Sequence, residues 1–167
     1  MLDAGRADAS FMWLPLGEVG LHHAVVRRDR RAVALPPRHR LAGRATLTLA
    51  DLADEPVVRP AVLTSAEAER FWLADPRPGG RPAPRGPVLP CVEDALLEVA
   101  RGRGVWFAPQ PLSAVIPLGG LRWVEVEDAE PFDLAVVWTD RAPQALVGRL
   151  VAEVRSVLGE GRRVRVA

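Results

Sequence analysis

Apolar and polar positions along this chain follow two different spacings. Val92, Ala95, Leu96 and Val99 recur at the i, i+3, i+4, i+7 positions of a helix, which predicts an amphipathic helix over 92–101. Further helices are predicted at 64–75 and from about Asp140 to Leu158. Strands are predicted at 9–16, 21–27, 31–35, 56–60, 104–109, 121–127 and 132–138. Because strands and helices alternate, the predicted fold class is α/β.

Capping residues sharpen several of these boundaries. Thr48 and Asp51 have the spacing of a capping box, which predicts a brief helix that Pro56 stops. Thr64 or Ser65 is the expected N-cap of the 64–75 helix. Gly159 is the expected C-cap of the last helix. Residues 76–90 contain six prolines and three glycines and predict a surface loop that ends in a short strand.

The segment Val99–Pro109, VARGRGVWFAP, contains a Gly-x-Gly that could be taken for a phosphate loop. A dinucleotide fingerprint needs a strand before the glycines and a helix after them, because the phosphate sits at a helix N-terminus. Here the helix comes first, so the glycines face the negative end of its dipole. We therefore predict that Gly102 ends the helix in the left-handed conformation and that Gly104 lets the chain turn into the strand.

Composition limits the function classes. The 167 residues suffice for one domain or two small lobes, and the net charge of +1 does not indicate a polyanion partner. All 22 basic residues are arginines, a bias that fits a GC-rich genome. The single cysteine, Cys91, allows no intrachain disulfide and favours a cytoplasmic location. No apolar run reaches the roughly 18 residues of a membrane span, and the N-terminus lacks the pattern of a secretory signal.

The remaining chemistry-bearing residues favour structural roles. Cys91 begins the 92–101 helix, where a thiolate could be stabilised and act as a sensor, but a semi-buried packing thiol is the preferred interpretation. His22, His23 and His39 do not have metal-ligand spacing. The RRDRR segment, Arg27–Arg31, could contact phosphates, but a solvated hinge turn is preferred because no aromatic residues are interleaved. No catalytic set, metal site or cofactor motif is found, so the chain is not expected to be an enzyme.

Five segments in order resemble the effector-binding domain of LysR-type transcriptional regulators. LLEVARGRGVWFAP is similar to that family's helix–Gly-x-Gly–strand–Pro signature. LDAGRADASF, LHHAVVRRDRRAVALPPRHRLAG (with Pro37, His39 and Leu41 in place) and LTLADLADEPVV resemble its earlier segments. FDLAVVWTDRAPQALVGRLVAEVRSVL resembles its closing strand and helix. The resemblance covers about residues 1–158.

The resemblance implies a two-lobed fold like that of periplasmic binding proteins, joined by two crossover strands. Lobe one would be partial and comprise 1–27 and 134–158. Lobe two, 28–133, would be nearly complete, and 159–167 would be a tail. In a complete bacterial regulator a helix-turn-helix precedes this domain and binds DNA, and the protein forms a homo-oligomer. We expect this chain to be an N-terminally truncated form that contacts DNA only through the absent helix-turn-helix.

A small-molecule effector is implied in the cleft between the lobes, with no cofactor. Carried onto this sequence, the family pattern predicts that the effector contacts Trp13, Pro60, Thr64, Ser65, Phe107 and Pro109. Backbone N–H groups at 64–66 could hold a carboxylate. The alternative is a truncated remnant that senses nothing and acts through protein–protein association. In that case the 9–16 strand and the 143–158 helix would present an apolar patch to a partner.

Overall fold

A computed structural model describes residues 2, 7–15, 17, 20–61, 63, 65–115 and 120–161. The strands are β1 (Ala9–Leu14), β2 (His22–Asp29), β3 (Arg31–Leu35), β4 (Thr46–Leu47), β5 (Val57–Pro60), β6 (Arg85–Leu89), β7 (Trp106–Pro109), β8 (Arg122–Val126) and β9 (Phe132–Trp138). The helices are α1 (Ala66–Leu73), α2 (Val92–Ala100), α3 (Leu112–Val115) and α4 (Gln144–Gly161), with a 3-10 turn at Pro78–Gly80. The predicted alternation of strands and helices is therefore confirmed.

The chain divides into two compact units. Unit 1 comprises Met1–Arg28 and Asp133–Ala167, and unit 2 comprises Asp29–Phe132. The assignment of lobe one to 1–27 and 134–158, and of lobe two to 28–133, stays a prediction.

Unit 2 is built on a sheet with the strand order β4-β8-β3-β7. β3 pairs antiparallel with β7 and β8, whereas β4 runs parallel to β8. A second sheet, in which β5 is parallel to β6, is joined to the first by backbone hydrogen bonds. The amide of Val58 donates to the carbonyl of Val105 at 2.9 Å, and the amide of Val105 donates to the carbonyl of Pro56 at 2.8 Å. β5 therefore lies beside the segment that leads into β7.

Alternate residues of β3 and β7 serve two different cores of unit 2. Val33 and Phe107 belong to a core that Leu73 of α1 completes. Ala34 and Trp106 belong to the other, with the apolar face of α2. This two-residue period follows from the pleat of a strand, in which successive side chains point to opposite faces. Both faces of the sheet are thus covered.

Unit 1 contains a three-stranded sheet with the order β1-β9-β2. β1 pairs antiparallel with β9, with Ala9 opposite Trp138. α4 packs Val147 and Val151 against Val136 of β9. The other face of β9 carries buried apolar residues that pack with Leu2. None of the helices in the described ranges is long and apolar enough to span a membrane.

Two boundary predictions are wrong. Thr48 and Asp51 do form the reciprocal capping bonds, Thr48 N to Asp51 Oδ2 at 2.9 Å and Asp51 N to Thr48 Oγ1 at 3.3 Å. The segment after them nevertheless makes turns closed by i→i+3 bonds rather than a helix. The segment is too short for a helix, because Pro56 and β5 follow within a few residues. Gly159 is not a C-cap, since α4 continues to Gly161, and a glycine inside a helix costs only about 1 kcal/mol.

Gly102 and Gly104 have the roles that the sequence predicts. Gly102 follows α2 with φ +76°, in the left-handed region. Gly104 has φ +152°, and a Cβ placed on it would lie 2.6 Å from the carbonyl oxygen of Pro56. The second glycine is therefore required both by its φ and by the close approach of β5.

Candidate functional site

The N-terminus of α1 is one of the predicted effector-contact segments, and its hydrogen bonds define how the helix begins. Ser65 is the N-cap, and its Oγ accepts a hydrogen bond from the amide of Ala68 at 3.0 Å. Glu67 and Glu69 lie in the first turn, where the helix dipole favours carboxylates. Thr64, the other predicted N-cap and contact residue, lies outside the described residues. The Ser65 hydroxyl is thus engaged with the helix that it begins.

Two arginines pair with Glu69, one of the two acids in the first turn of α1. Arg59 of β5 donates from Nη1 to Glu69 Oε1 at 3.0 Å, and Arg85 Nη1 lies 3.7 Å from the same oxygen. Pro60, the last residue of β5, pairs with Leu89 of β6. Paired charges therefore lie beside the end of β5 and the first turn of α1.

Phe107 and Pro109 lie on β7 but are both buried within unit 2. Phe107 is 1% exposed and stands opposite Val33 in the β3–β7 register. Its ring centroid lies 5.6 Å from the guanidinium carbon of Arg31 and 5.1 Å from that of Arg77. The ring is therefore enclosed by core neighbours. It presents no exposed surface of unit 2 that an effector could contact, so the structure does not support the predicted contact at Phe107.

Trp13 belongs to unit 1, unlike the other predicted contact residues. It lies on β1 opposite Leu134 of β9 and is half-buried. No measurement within either unit tests whether these residues bind an effector, so the contact set stays a prediction.

Arg31 corrects the prediction that Arg27–Arg31 is a solvated hinge turn. Arg31 is 1% exposed, and Asp29 is also buried, whereas Arg28 and Arg30 are exposed. Arg31 begins β3 and shares the inward face of Val33 by the two-residue period. The two-residue alternation of β3 could have indicated from the sequence that Arg31 points inward. The prediction gave more weight to the high charge of the Arg27–Arg31 segment and was therefore wrong.

The Arg31 guanidinium is held by carbonyls and aromatic rings. Nε donates to the carbonyl of Glu130 at 2.9 Å, and Nη1 donates to the carbonyls of Phe71 and Trp72 at 2.9 and 3.3 Å. Its central carbon lies 4.2 Å from the Phe132 ring centroid and 4.7 Å from that of Phe71. Burial lowers the pKa of Arg31 from its ordinary value to about 9, and the negative charge of Glu130 partly offsets this. The group is still protonated at neutral pH.

Arg77 is a second buried arginine that sequence reasoning missed. Its Nη1 donates to the carbonyls of Leu73 and Ala74, both at 2.9 Å. Burial lowers its pKa as well. With Arg31 it satisfies four successive carbonyls at the C-terminus of α1, where cations are favoured by the helix dipole. The two arginines therefore anchor the end of α1 opposite to Ser65.

Cys91 is exposed, so the prediction of a semi-buried packing thiol is wrong. A hydrogen bond from the backbone of Asp94 favours the thiolate, but the side chains of Asp94 and Glu93 outweigh it and raise the pKa of the thiol. The acids of the first turn of α2 thus keep the thiol protonated. This does not favour the sensor interpretation.

The histidines make ordinary pairs. His22 Nε2 lies 2.6 Å from Asp140 Oδ1, and its ring stacks on Trp138 at 6.0 Å. His39 Nε2 lies 3.2 Å from Glu55 Oε2. Within the described part of the chain, no three His, Cys, Asp or Glu residues are grouped to hold a metal ion.

Solved structures of LysR-type regulators have the same fold. The effector-binding domain of BenM with its effector benzoate is 21% identical, and the match covers 99% of this chain and 75% of that chain with a TM-score of 0.74. Full-length BenM is 22% identical, with coverages of 96% and 54% and a TM-score of 0.74. HinK, a LysR family regulator from Pseudomonas aeruginosa, is 22% identical, with coverages of 93% and 55% and a TM-score of 0.68.

These likenesses confirm the predicted fold class, the α/β fold of two periplasmic-binding-protein-like lobes. The chain spans about half the length of the full regulators that it matches. No curated protein sequence matches it. The family model for the LysR substrate binding domain matches residues 1–159. Since that match includes nearly the whole sequence, the chain belongs to the LysR substrate-binding domain family.

Proposed function

We propose that this chain is the sensing part of a LysR-type transcriptional regulator and binds a small-molecule effector in a cleft between its two lobes. The observation that carries the proposal is the α1 N-terminus, capped by Ser65 and placed directly after β5. Its free backbone N–H groups and the positive end of the helix dipole favour an anionic group. Family membership supports binding rather than catalysis.

The proposed site favours a ligand that carries both a carboxylate and an apolar group. The helix dipole contributes only about 0.3–1 kcal/mol at an exposed site, so it selects an anion without supplying most of the affinity. Arg59 offsets the charge of Glu69, one of the two acids of the first turn that would repel an anion. Apolar contact, to which Trp13 would contribute, supplies the remaining affinity. Benzoate, the effector of BenM, has this chemistry.

The predicted contact residues take different roles in this proposal. Ser65 and the backbone at 64–66 would hold the carboxylate, and Pro60 and Trp13 would shape the apolar part of the site, whereas Pro109 is buried and would act through the position of β7. Phe107 would act by supporting β7 from the core, because its ring is enclosed. DNA binding, a homo-oligomeric state and a cytoplasmic location belong to the whole regulator and are part of the same proposal.

Ligand-dependent thermal stability tests the proposal directly. Binding stabilises the folded chain by RT ln(1 + [L]/Kd), about 2.7 kcal/mol at a hundredfold excess over Kd. We expect one class among carboxylates, amino acids and aromatics, with benzoate included, to raise the Tm of the chain. A folded sample that responds to no compound of the panel contradicts the proposal.

Ser65→Asp separates the proposed site from nonspecific stabilisation. Aspartate caps a helix as well as serine does but adds a negative charge, so the fold is kept while a bound carboxylate is repelled. We expect about tenfold weaker binding of the active carboxylate. Ser156→Asp on the exposed side of α4 is the matched control. Equal affinities of the two variants would place the ligand elsewhere.

A second candidate function is self-association through unit 1 without effector sensing. A groove of about 290 Å³ on unit 1 is lined by Phe11, Leu134, Val154, Val157, Leu158 and the stem of Glu153. Phe11 is 52% and Val157 65% exposed. Exposed apolar surface of this kind favours burial against a partner, and in this candidate function the partner is a second copy of the chain.

Analytical ultracentrifugation distinguishes this candidate from the first. If it holds, the chain dimerises and Phe11→Ser with Val157→Ser makes it monomeric. Val115→Ser on unit 2, an equally exposed valine, is the control that should leave the dimer unchanged. A monomer at all concentrations contradicts self-association and leaves effector sensing as the function.

A further inference from the structure

A cavity of about 330 Å³ lies in unit 2 at the C-terminal end of α1. Phe71 and Leu49 form part of its apolar wall, and five charged residues line it as well: Arg31, Arg70, Asp75, Asp128 and Glu130. Its volume is that of a small-ligand pocket. We call it the α1 C-terminal cavity. It is formed at the end of the helix opposite to Ser65.

The buried guanidinium of Arg31 reaches into this cavity. Three of its N–H groups donate to carbonyls, from Nε and Nη1. Nη2 donates to no atom of the described residues, and it is not among the enclosed polar atoms that lack a partner. Nη2 is therefore not fully enclosed, and because Arg31 lines the cavity, its free N–H groups are within reach of a ligand oxygen bound there. Buried donors of this kind are normally satisfied by a partner or by water.

Carboxylates stand around the same space. Asp75 and Asp128 each use Oδ1 to accept a backbone amide, from Ala83 at 2.9 Å and from Leu49 at 2.8 Å. These bonds orient both side chains and leave Oδ2 available for a further donor. Glu130 is exposed at the rim, and its charge acts on Arg31. The cavity thus holds two cationic and three anionic groups.

We propose that the α1 C-terminal cavity binds a free amino acid with an apolar side chain. The α-carboxylate would accept hydrogen bonds from Nη2 of Arg31 and from Arg70, and the α-ammonium would donate to the surrounding carboxylates. The side chain would pack against Phe71 and Leu49. A simple carboxylate has no ammonium to donate to the three acids, and a simple amine leaves Nη2 of Arg31 and the Arg70 guanidinium without a carboxylate to accept their hydrogen bonds. The site is separate from the proposed effector site and does not depend on it.

Isothermal titration calorimetry with three related compounds tests this selectivity. L-leucine carries both charges, 4-methylpentanoate only the carboxylate, and 3-methylbutylamine only the ammonium. We expect L-leucine to bind one site per chain and each analogue to bind at least about tenfold more weakly. If L-leucine does not bind the folded chain in the millimolar range, or if either analogue binds equally well, the proposal is overturned.

Charge-removing variants locate the binding. Arg70→Gln and Glu130→Gln alter exposed side chains that make no hydrogen bond to other described side chains, so both variants should fold. Each variant should bind L-leucine with about tenfold lower affinity than the unchanged chain. Arg122→Gln and Glu127→Gln, exposed charges elsewhere on unit 2, are the matched controls.

Ser65→Asp separates this site from the proposed effector site. If the cavity is the site, Ser65→Asp leaves L-leucine binding unchanged, whatever it does to a carboxylate effector. Loss of L-leucine binding in Ser65→Asp, with Arg70→Gln and Glu130→Gln unaffected, would assign the amino acid to the α1 N-terminus and overturn this inference.

Discussion

The two units of this chain differ in how completely their apolar residues are covered. In unit 2 both faces of the sheet are packed, and residues such as Val33, Leu52 and Phe107 are almost wholly buried. In unit 1 a comparable set of apolar side chains, including Phe11, Leu146 and Val157, is more than half exposed. Similar residue types therefore have different energetic roles, because burial and not identity sets their contribution to stability. Unit 2 should therefore carry most of the stability, because it holds most of the buried apolar residues, whereas exposed apolar residues occur in both units, with Val115 of unit 2 the most exposed of those described.

The largest expected effect contrasts a buried leucine with an exposed one. Leu52→Ala leaves a cavity in the unit 2 core and should lower the free energy of unfolding by about 2–5 kcal/mol. Leu146→Ala on α4 of unit 1 should change it by less than about 0.5 kcal/mol. Urea unfolding followed by tryptophan fluorescence measures both. If both variants lost the same free energy of unfolding, Leu146 would be buried in solution, and the contrast between a buried and an exposed leucine would be contradicted.

The two glycines after α2 give a matched pair within unit 2. Gly102→Ala adds a Cβ at φ +76° with no atom within 4 Å, so only left-handed strain of about 1–2 kcal/mol is expected. Gly104→Ala adds a Cβ 2.6 Å from the Pro56 carbonyl oxygen, and this overlap should cost about 1–3 kcal/mol more. Chemical denaturation of both variants compares the losses. A smaller loss for Gly104→Ala would show that β5 can move away.

Arg31 predicts an unusual alkaline behaviour for unit 2. Its pKa is lowered to about 9 in the folded chain, so above that pH the unfolded chain binds more protons. The free energy of unfolding should therefore rise as the pH rises above about 9, by at most about 1.4 kcal/mol per pH unit. The chain contains no lysine or tyrosine to obscure this.

Urea unfolding over a series of alkaline pH values measures this rise. Cys91→Ser is the suitable background, because the raised pKa of that thiol acts in the opposite direction. Arg31→Met should remove most of the rise, with Arg77 contributing the remainder in the same direction. An Arg31→Met chain with an unchanged slope would contradict the assignment to Arg31.

The smallest expected effect concerns one hydroxyl in each unit. Ser65→Ala removes the N-cap bond to Ala68 and should cost about 1 kcal/mol. Ser156→Ala, on the exposed face of α4, should have nearly no effect. Thermal unfolding at neutral pH compares the two. If Ser65→Ala were neutral, the cap would not define the start of α1 in solution.

Local rules predicted much of the fold and one end of the candidate site. Periodicity located α2 and β9, and the capping preference of serine located the start of α1. The same rules failed at Asp51, where the capping bonds form but the segment is too short for a helix. They also missed Arg31 and Arg77, because nothing in a local pattern indicates which arginine will meet the carbonyls of a distant helix end.

The sequence by itself therefore determined the order and type of most of the elements, the family, and the roles of Ser65, Gly102 and Gly104. These depend on backbone preferences and on neighbours within a few residues. Only the tertiary structure decided that Phe107 is enclosed, that two arginines anchor the C-terminus of α1, and that Arg31 lines a charged cavity. Those outcomes depend on contacts between residues tens of positions apart, such as Arg31 with Glu130. A charge pattern read along the chain cannot reveal the partners that the fold brings together.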